Sequence, residues 1–119
     1  MLAVMRTIRT AALLILSAAL TFAADISGKW TFTVDLGGQG GTPAFEFTQK
    51  GEALTGMYHG QFGEAKLTGT VKGDKVEFTF GSEAGSVKYS GTIESATKIS
   101  GTCDYGEAAG KGTFTGVKN

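Results

Sequence analysis

The sequence contains only one cysteine, one histidine and one tryptophan among its 119 residues, and its two arginines both lie within the first nine positions. A lone cysteine, Cys103, cannot form a disulfide bond within the chain. One histidine and one cysteine also give none of the paired spacings that zinc sites use. These scarcities exclude a disulfide-stapled scaffold, and we predict neither a metal site nor a cofactor.

The first 23 residues have the pattern of a secretory signal. Arg6 and Arg9 precede the apolar run "AALLILSAALTF", and small residues stand just before Ala24. We predict a signal peptide over residues 1–23 and a single secreted or periplasmic domain over residues 24–119. A retained membrane anchor is the alternative, although no later apolar run approaches the roughly 20 residues of a spanning helix.

Positive charge is sparse after the predicted signal. Residues 24–119 contain no arginine and are slightly acidic. Nucleic acids and anionic membrane surfaces are bound by clustered positive charge. We therefore predict no nucleic-acid partner, and no membrane partner once the signal has been removed.

Apolar and polar residues alternate from Ile26 to Leu36, which is typical of a strand with one buried face. The same alternation recurs in seven later segments: Phe45–Phe47, Leu54–Phe62, Ala65–Val71, Val76–Phe80, Val87–Ile93, Ile99–Tyr105 and Gly112–Gly116. The connections are short and rich in glycine and acidic residues, as in hairpins. We predict an all-β, eight-stranded antiparallel up-and-down barrel. A two-sheet sandwich is the alternative fold.

A short motif with a central glycine recurs as "ISGKW", "ALTGMY", "KLTGTV", "KYSGTI", "KISGTC" and "TFTGVK". Glycine inside a strand costs about 0.5–1 kcal/mol relative to alanine, so the repeats need an explanation. Alternation turns these glycines inward, and we predict that they close the floor of the barrel around the tryptophan. The predicted floor consists of Trp30, Gly28, Gly56, Gly69, Gly91, Gly101 and Gly116. The alternative is a local repeat without a shared role.

Two of these motifs, "ISGKW" and "ALTGMY", resemble the avidin and streptavidin family. In that family a Gly-x-Trp first strand is followed by an "LTGTY"-like third strand in an eight-stranded barrel, and the wider calycin group shares the Gly-x-Trp start. The resemblance implies a small secreted barrel of the avidin or lipocalin type. It also implies that Trp30 is the structural tryptophan of the floor and that Tyr58 donates a hydrogen bond to a ligand.

The sequence departs from that family at the biotin site. Phe32 and Gly60 stand where the resemblance would place polar pocket residues, and Trp30 is the only tryptophan. The tryptophans that wall a biotin pocket are therefore missing. We predict that the protein has a barrel scaffold like that of this family but does not bind biotin.

Inward aromatic residues gather at the end of the predicted barrel opposite the chain termini. Aromatic walls with a few hydroxyls are suited to small apolar ligands. The predicted ligand-binding residues are Phe45, Tyr58, Phe62, Phe80, Tyr89, Tyr105 and Phe114. The alternative is that these rings plug the barrel.

The same end carries an acidic residue in or beside each connection. The predicted acidic rim consists of Asp35, Glu64, Glu83 and Glu107. Such a rim around an aromatic mouth would favour a cationic ligand or a basic partner. Ordinary solvated turn residues are the alternative explanation.

No group of residues indicates catalysis. His59 alternates with inward Tyr58 and so faces solvent, and Cys103 points inward among apolar neighbours. We predict a non-enzymatic exported barrel that binds a small apolar or aromatic ligand in its mouth. The alternative is an interaction module, such as an inhibitor of an exported hydrolase that acts through its rim loops. The sequence predicts no oligomeric state.

Overall fold

The computed structural model of the chain describes residues 25–82 and 85–119. The predicted signal peptide and Glu83 of the predicted rim lie outside these residues. The described residues form nine strands: β1 (Gly28–Asp35), β2 (Gly40–Gly41), β3 (Ala44–Lys50), β4 (Ala53–Gly60), β5 (Gly63–Lys72), β6 (Lys75–Ser82), β7 (Gly85–Ser95), β8 (Lys98–Asp104) and β9 (Lys111–Lys118). One helical turn, α1 (Gly106–Ala109), joins β8 to β9.

Every strand pairing is antiparallel, in the order β2-β1-β3-β4-β5-β6-β7-β8-β9, and β1 also pairs with β9. The β1–β9 pairing sets Phe32 opposite Gly116 and Val34 opposite Phe114, which closes the sheet. Between β2 and β3, the Phe32 N–H donates to the Pro43 carbonyl at 3.0 Å. Strands β1 and β3–β9 therefore form the predicted eight-stranded barrel, and the sandwich alternative is wrong. This architecture is compatible with a calycin-like fold.

The alternation in β1 determines which side chains enter the core. Trp30, Phe32 and Val34 are buried, whereas Lys29 and Thr33 are exposed. No charged side chain is buried anywhere in residues 25–82 and 85–119. That part of the chain also has no helix with the length and apolar character needed to cross a membrane.

Aromatic rings pack against one another through the interior of the barrel. Phe32 stacks on Phe114 with ring centroids 4.8 Å apart, and Phe78 stacks on Tyr89 at 5.0 Å. Phe45 lies between these pairs, 4.5 Å from Phe32 and 5.3 Å from Phe78. Below the mouth, aromatic rings therefore fill the barrel, as the alternative interpretation of these residues predicts.

Trp30 is fully buried near the start of β1. Its indole Nε1–H donates to the Ile26 carbonyl at 2.9 Å, and its ring lies 6.2 Å from that of Phe47. Gly28, two residues earlier, has a φ of +134°, which an L side chain rarely adopts. The tryptophan therefore anchors the first described residues to the barrel.

Several of the repeated glycines allow neighbouring strands to approach closely. A Cβ atom at Gly56 would lie 1.9 Å from the Glu46 carbonyl oxygen, and one at Gly101 would lie 2.1 Å from that of Ser90. A Cβ atom at Gly69 would lie 2.0 Å from the Glu77 carbonyl oxygen in the neighbouring strand. At these positions any side chain would collide with backbone.

At two other glycines the space is taken by phenylalanine rings. A Cβ atom would lie 2.4 Å from Phe32 at Gly116 and 2.8 Å from Phe114 at Gly91. Trp30 is not among the nearest atoms at any of the six repeated glycines. The nearest atoms at these glycines therefore belong to backbone and to side chains other than the predicted indole.

Candidate functional site

A recess of about 240 Å³ opens at the end of the barrel opposite the described termini. The connections from β1 to β3, from β4 to β5 and from β8 to β9 meet at this end. The apolar and aromatic lining consists of Val34, Leu36, Pro43, Tyr58, Phe62 and Tyr105. The remaining lining consists of Gly40, Gly41, Thr42, Gly60 and Gln61.

The recess lies where the barrel wall divides. The β3–β4 pairing ends with Ala44 opposite His59, whereas β2 pairs with β1 alone among the described strands, Val34 opposite Gly41. Residues 42–43 lead from β2 to β3. The recess lies between β2 and the end of β4, and residues of both strands line it.

All three tyrosines of the chain converge beneath this opening. Tyr58, Tyr89 and Tyr105 are each no more than 3% exposed. The hydroxyls of Tyr89 and Tyr105 share a hydrogen bond, and the Tyr58 hydroxyl lies near that of Tyr105. The Tyr58 oxygen accepts the Phe62 N–H at 3.4 Å. Strands β4 and β7 and the residue after β8 thus supply three neighbouring hydroxyls.

Proton accounting favours one direction for these contacts. Either hydroxyl can donate in the Tyr89–Tyr105 hydrogen bond, but the buried Tyr89 hydroxyl has no other acceptor within residues 25–82 and 85–119, so we infer that Tyr89 donates. In that arrangement the Tyr105 proton is available to the nearby Tyr58 oxygen. The Tyr58 proton then has no acceptor in the described part of the chain, on a side chain that lines the recess.

The three tyrosines are protonated near neutral pH, as tyrosine ordinarily is, and burial extends this to higher pH. Removal from water raises the pKa of Tyr58, Tyr89 and Tyr105 above the ordinary tyrosine value, because the phenolate is disfavoured in an apolar surrounding. The recess therefore presents neutral O–H groups near neutral pH.

Neighbouring rings hold the hydroxyls in place. Tyr58 stacks on Phe80 with centroids 4.3 Å apart and lies 5.5 Å from Phe45. The Phe62 ring, on the turn between β4 and β5, lies 5.6 Å from that of Tyr105. The tyrosines are thus fixed by packing from below and from the rim.

The seven predicted ligand-binding aromatics occupy two depths. Tyr58, Phe62 and Tyr105 line the recess, and Tyr89 lies directly beneath them. Phe45, Phe80 and Phe114 are buried in the interior and form no part of the lining. Strand alternation identifies the inward face but not the depth of a residue along the barrel.

Sequence reasoning did not single out most of the remaining lining. Val34 and Leu36 were assigned only to the inward face of the first strand, and the loop around Gly41 only to a hairpin. Gly60 is the exception, because the resemblance places it at a pocket position and it shares the inward face with Tyr58, two positions earlier. Gln61 and Thr42 carry no comparable signal.

The predicted acidic rim is partly engaged in local structure. Asp35 Oδ1 accepts the N–H groups of Gly37 and Gly38 at 3.1 and 2.9 Å, which stabilises the turn after β1. Glu64 contacts His59, and Glu107 is exposed in α1. Asp35 is therefore an ordinary turn residue, as the alternative explanation of the rim predicts.

His59 lies on the outer face between two carboxylates, as its position beside inward Tyr58 predicts. Its Nδ1 is 3.2 Å from Glu64 and its Nε2 is 3.1 Å from Glu46. Hydrogen bonding to Glu64, followed by that to Glu46, raises the pKa of His59. This group faces away from the tyrosines.

Cys103 is buried, and its Sγ lies 4.0 Å from the Thr113 carbonyl oxygen. Burial raises the pKa of the thiol to about 11, so the group remains a thiol near neutral pH. No three His, Cys, Asp or Glu side chains of the described residues are grouped in a way that could hold a metal ion.

Comparison of the chain with protein families, with characterised proteins and with solved structures finds no match.

Proposed function

We propose that this protein is an exported, non-enzymatic barrel that binds a small planar ligand, apolar or aromatic, at its mouth. The observation that carries the proposal is the tyrosine group, whose outermost O–H faces the recess without a described acceptor. A ligand with a hydrogen-bond acceptor would satisfy that proton. The signal-like first 23 residues support export.

The size of the recess favours a compact ligand. Pockets for drug-sized molecules enclose roughly 300–1,000 Å³, and this recess encloses about 240 Å³. The aromatic interior beneath it prevents deeper entry without rearrangement. A single substituted ring or a small bicyclic group is therefore the expected occupant.

The chemistry of the lining favours a neutral ligand over a cation. The recess is lined by rings, aliphatic side chains and uncharged polar groups, with no charged residue among them. Asp35, the rim carboxylate nearest in sequence to Leu36, is occupied by backbone N–H groups. A carbonyl oxygen or a ring nitrogen is the hydrogen-bond acceptor that would enter this recess with the smallest desolvation penalty.

The avidin-like motifs support the proposal in a limited way. Tyr58 occupies the motif position that the resemblance assigns to a ligand-binding tyrosine, and it lines the recess. Phe32, which replaces a polar pocket residue, is buried against Phe45 and Phe114. We infer an avidin-like or lipocalin-like scaffold with a different cargo.

Nuclear magnetic resonance titration with two matched molecules tests the proposal. Acetophenone carries a carbonyl acceptor, and ethylbenzene has a similar shape without one. Acetophenone should shift the amide signals of Gly41, Gln61 and Phe62 saturably and bind about threefold to tenfold more tightly than ethylbenzene. Tyr58→Phe should remove that preference. Absence of saturable shifts with either molecule would contradict ligand binding at the mouth.

A protein-interaction module is the second candidate. The observation that favours it is the small volume of the recess, which would admit one aromatic side chain of a partner protein beside the exposed loop at residues 37–39. Native mass spectrometry of the protein purified from its own host distinguishes the two functions. A retained small molecule supports the ligand-binding protein, and a retained polypeptide supports the interaction module.

A further inference from the structure

Gly60 ends β4 at the edge of the recess, and its backbone does not require glycine. Its φ lies outside the positive range that favours glycine, unlike that of Gly63 in the following turn. Gly60 is also exposed. A β-branched or aromatic residue would ordinarily suit such a strand position better.

The lack of space for a side chain beside Tyr58 explains why glycine stands at position 60. A Cβ atom at Gly60 would lie 2.3 Å from the Tyr58 hydroxyl oxygen and 2.6 Å from its Cζ. Residues two apart share one face of a strand, and the Tyr58 side chain leans along β4 toward the mouth and over Gly60. The ring cannot easily retreat, because it is 1% exposed and stacks on Phe80.

We propose that Gly60 is the positioning residue that sets the Tyr58 hydroxyl at the floor of the recess. Any side chain at position 60 displaces this hydroxyl from the Phe62 N–H, and it also narrows the recess. The inference rests on the proposed function for its consequence in binding. The positioning of Tyr58 by Gly60 does not depend on whether a ligand binds.

Gly60→Ala and Gly81→Ala form a matched pair for the test. Both glycines lie near the mouth ends of their strands with φ outside the positive range, but a Cβ atom at Gly81 would meet nothing within 4 Å. Gly60→Ala should shift the Phe62 amide resonance and weaken acetophenone binding at least tenfold. Gly81→Ala should change neither. Equal effects of the two substitutions would overturn the inference.

A stability cycle with Tyr58→Ala covers the case in which Gly60→Ala folds poorly. Gly60→Ala should lower the melting temperature when Tyr58 is present and have little effect in the Tyr58→Ala protein, where the clashing ring is gone. The same loss in both proteins would refute the positioning role.

The two proposals fail in different ways. If the unsubstituted protein does not bind acetophenone while the Phe62 amide and the stability cycle behave as expected, ligand binding is refuted and the role of Gly60 is retained. If acetophenone binds and Gly60→Ala binds it equally well, ligand binding is retained and the role of Gly60 is refuted.

Discussion

Tyr89 and Tyr105 are sixteen positions apart in the chain, and their hydroxyls share a hydrogen bond inside the barrel. The two side chains come from β7 and from the residue after β8, and their rings lie 5.8 Å apart in an edge-to-face arrangement. Since Tyr89 has no other acceptor among the described residues, we expect Tyr89 to be the donor. The two phenylalanine substitutions test this expectation.

Tyr105→Phe should destabilise the protein more than Tyr89→Phe. Removal of the Tyr105 hydroxyl leaves a buried Tyr89 O–H without an acceptor, which costs about 1–3 kcal/mol, whereas removal of the Tyr89 hydroxyl loses a typical net hydrogen bond of about 0.5–1.5 kcal/mol. Urea denaturation of both variants measures the difference. The reverse order would mean that the donor has been assigned in the wrong direction.

Gly101→Val should destabilise the barrel by about 2 kcal/mol or more, because overpacking a closely fitted site usually costs 1–3 kcal/mol. A Cβ atom there would lie 2.1 Å from the Ser90 oxygen and 2.5 Å from the Gly91 Cα, so the backbone would have to move. Gly81→Val is the control, since that position is open. Equal denaturation midpoints for the two variants would refute the close-approach explanation.

His59 should titrate above the ordinary histidine pKa of about 6.5. Its ion pairs with Glu64 and Glu46 stabilise the folded state fully below the unfolded pKa, and this contribution is lost as the pH rises through the raised folded value. Glu64→Gln should lower the pKa of His59 more than Glu46→Gln. A histidine ring titration followed by nuclear magnetic resonance measures both, and an unshifted pKa in both variants would contradict the assignment.

The melting temperature should be the same with and without reductant, because Cys103 has no partner cysteine. Its buried thiol, with a pKa raised to about 11, should react slowly with an aromatic disulfide reagent in the folded protein and rapidly in denaturant. Rapid labelling of the folded protein would show that Cys103 faces solvent.

The order of the strands was predictable because period-two alternation and short connections are local properties of the sequence. In β1, Trp30, Phe32 and Val34 were assigned to the inward face, and all three are buried. The helical turn α1 was not predicted, because four residues are too few to show a helical period.

The shape of the mouth was less predictable. Tyr58 and Phe45 are opposite one another in β3 and β4 and share the inward face, yet only Tyr58 lines the recess. The recess lies beside β2, which pairs only with β1 among the described strands, and this pairing depends on the path of the backbone. Neither property is visible in a pattern of alternating residues.

The pairing of β1 with β9 also determines when the fold can be completed. The first strand, β1, cannot complete its pairing until the last strand, β9, is present. A second contact joins the same ends, because the Thr31 hydroxyl donates to Asn119 Oδ1 at 3.0 Å across 88 positions. Every partial chain that lacks β9 leaves one edge of β1 and one edge of β8 unpaired. Such edges recruit strands from other chains. A chain truncated before residue 111 would therefore be prone to aggregate, and a full chain needs protection from such pairing until β9 has reached β1.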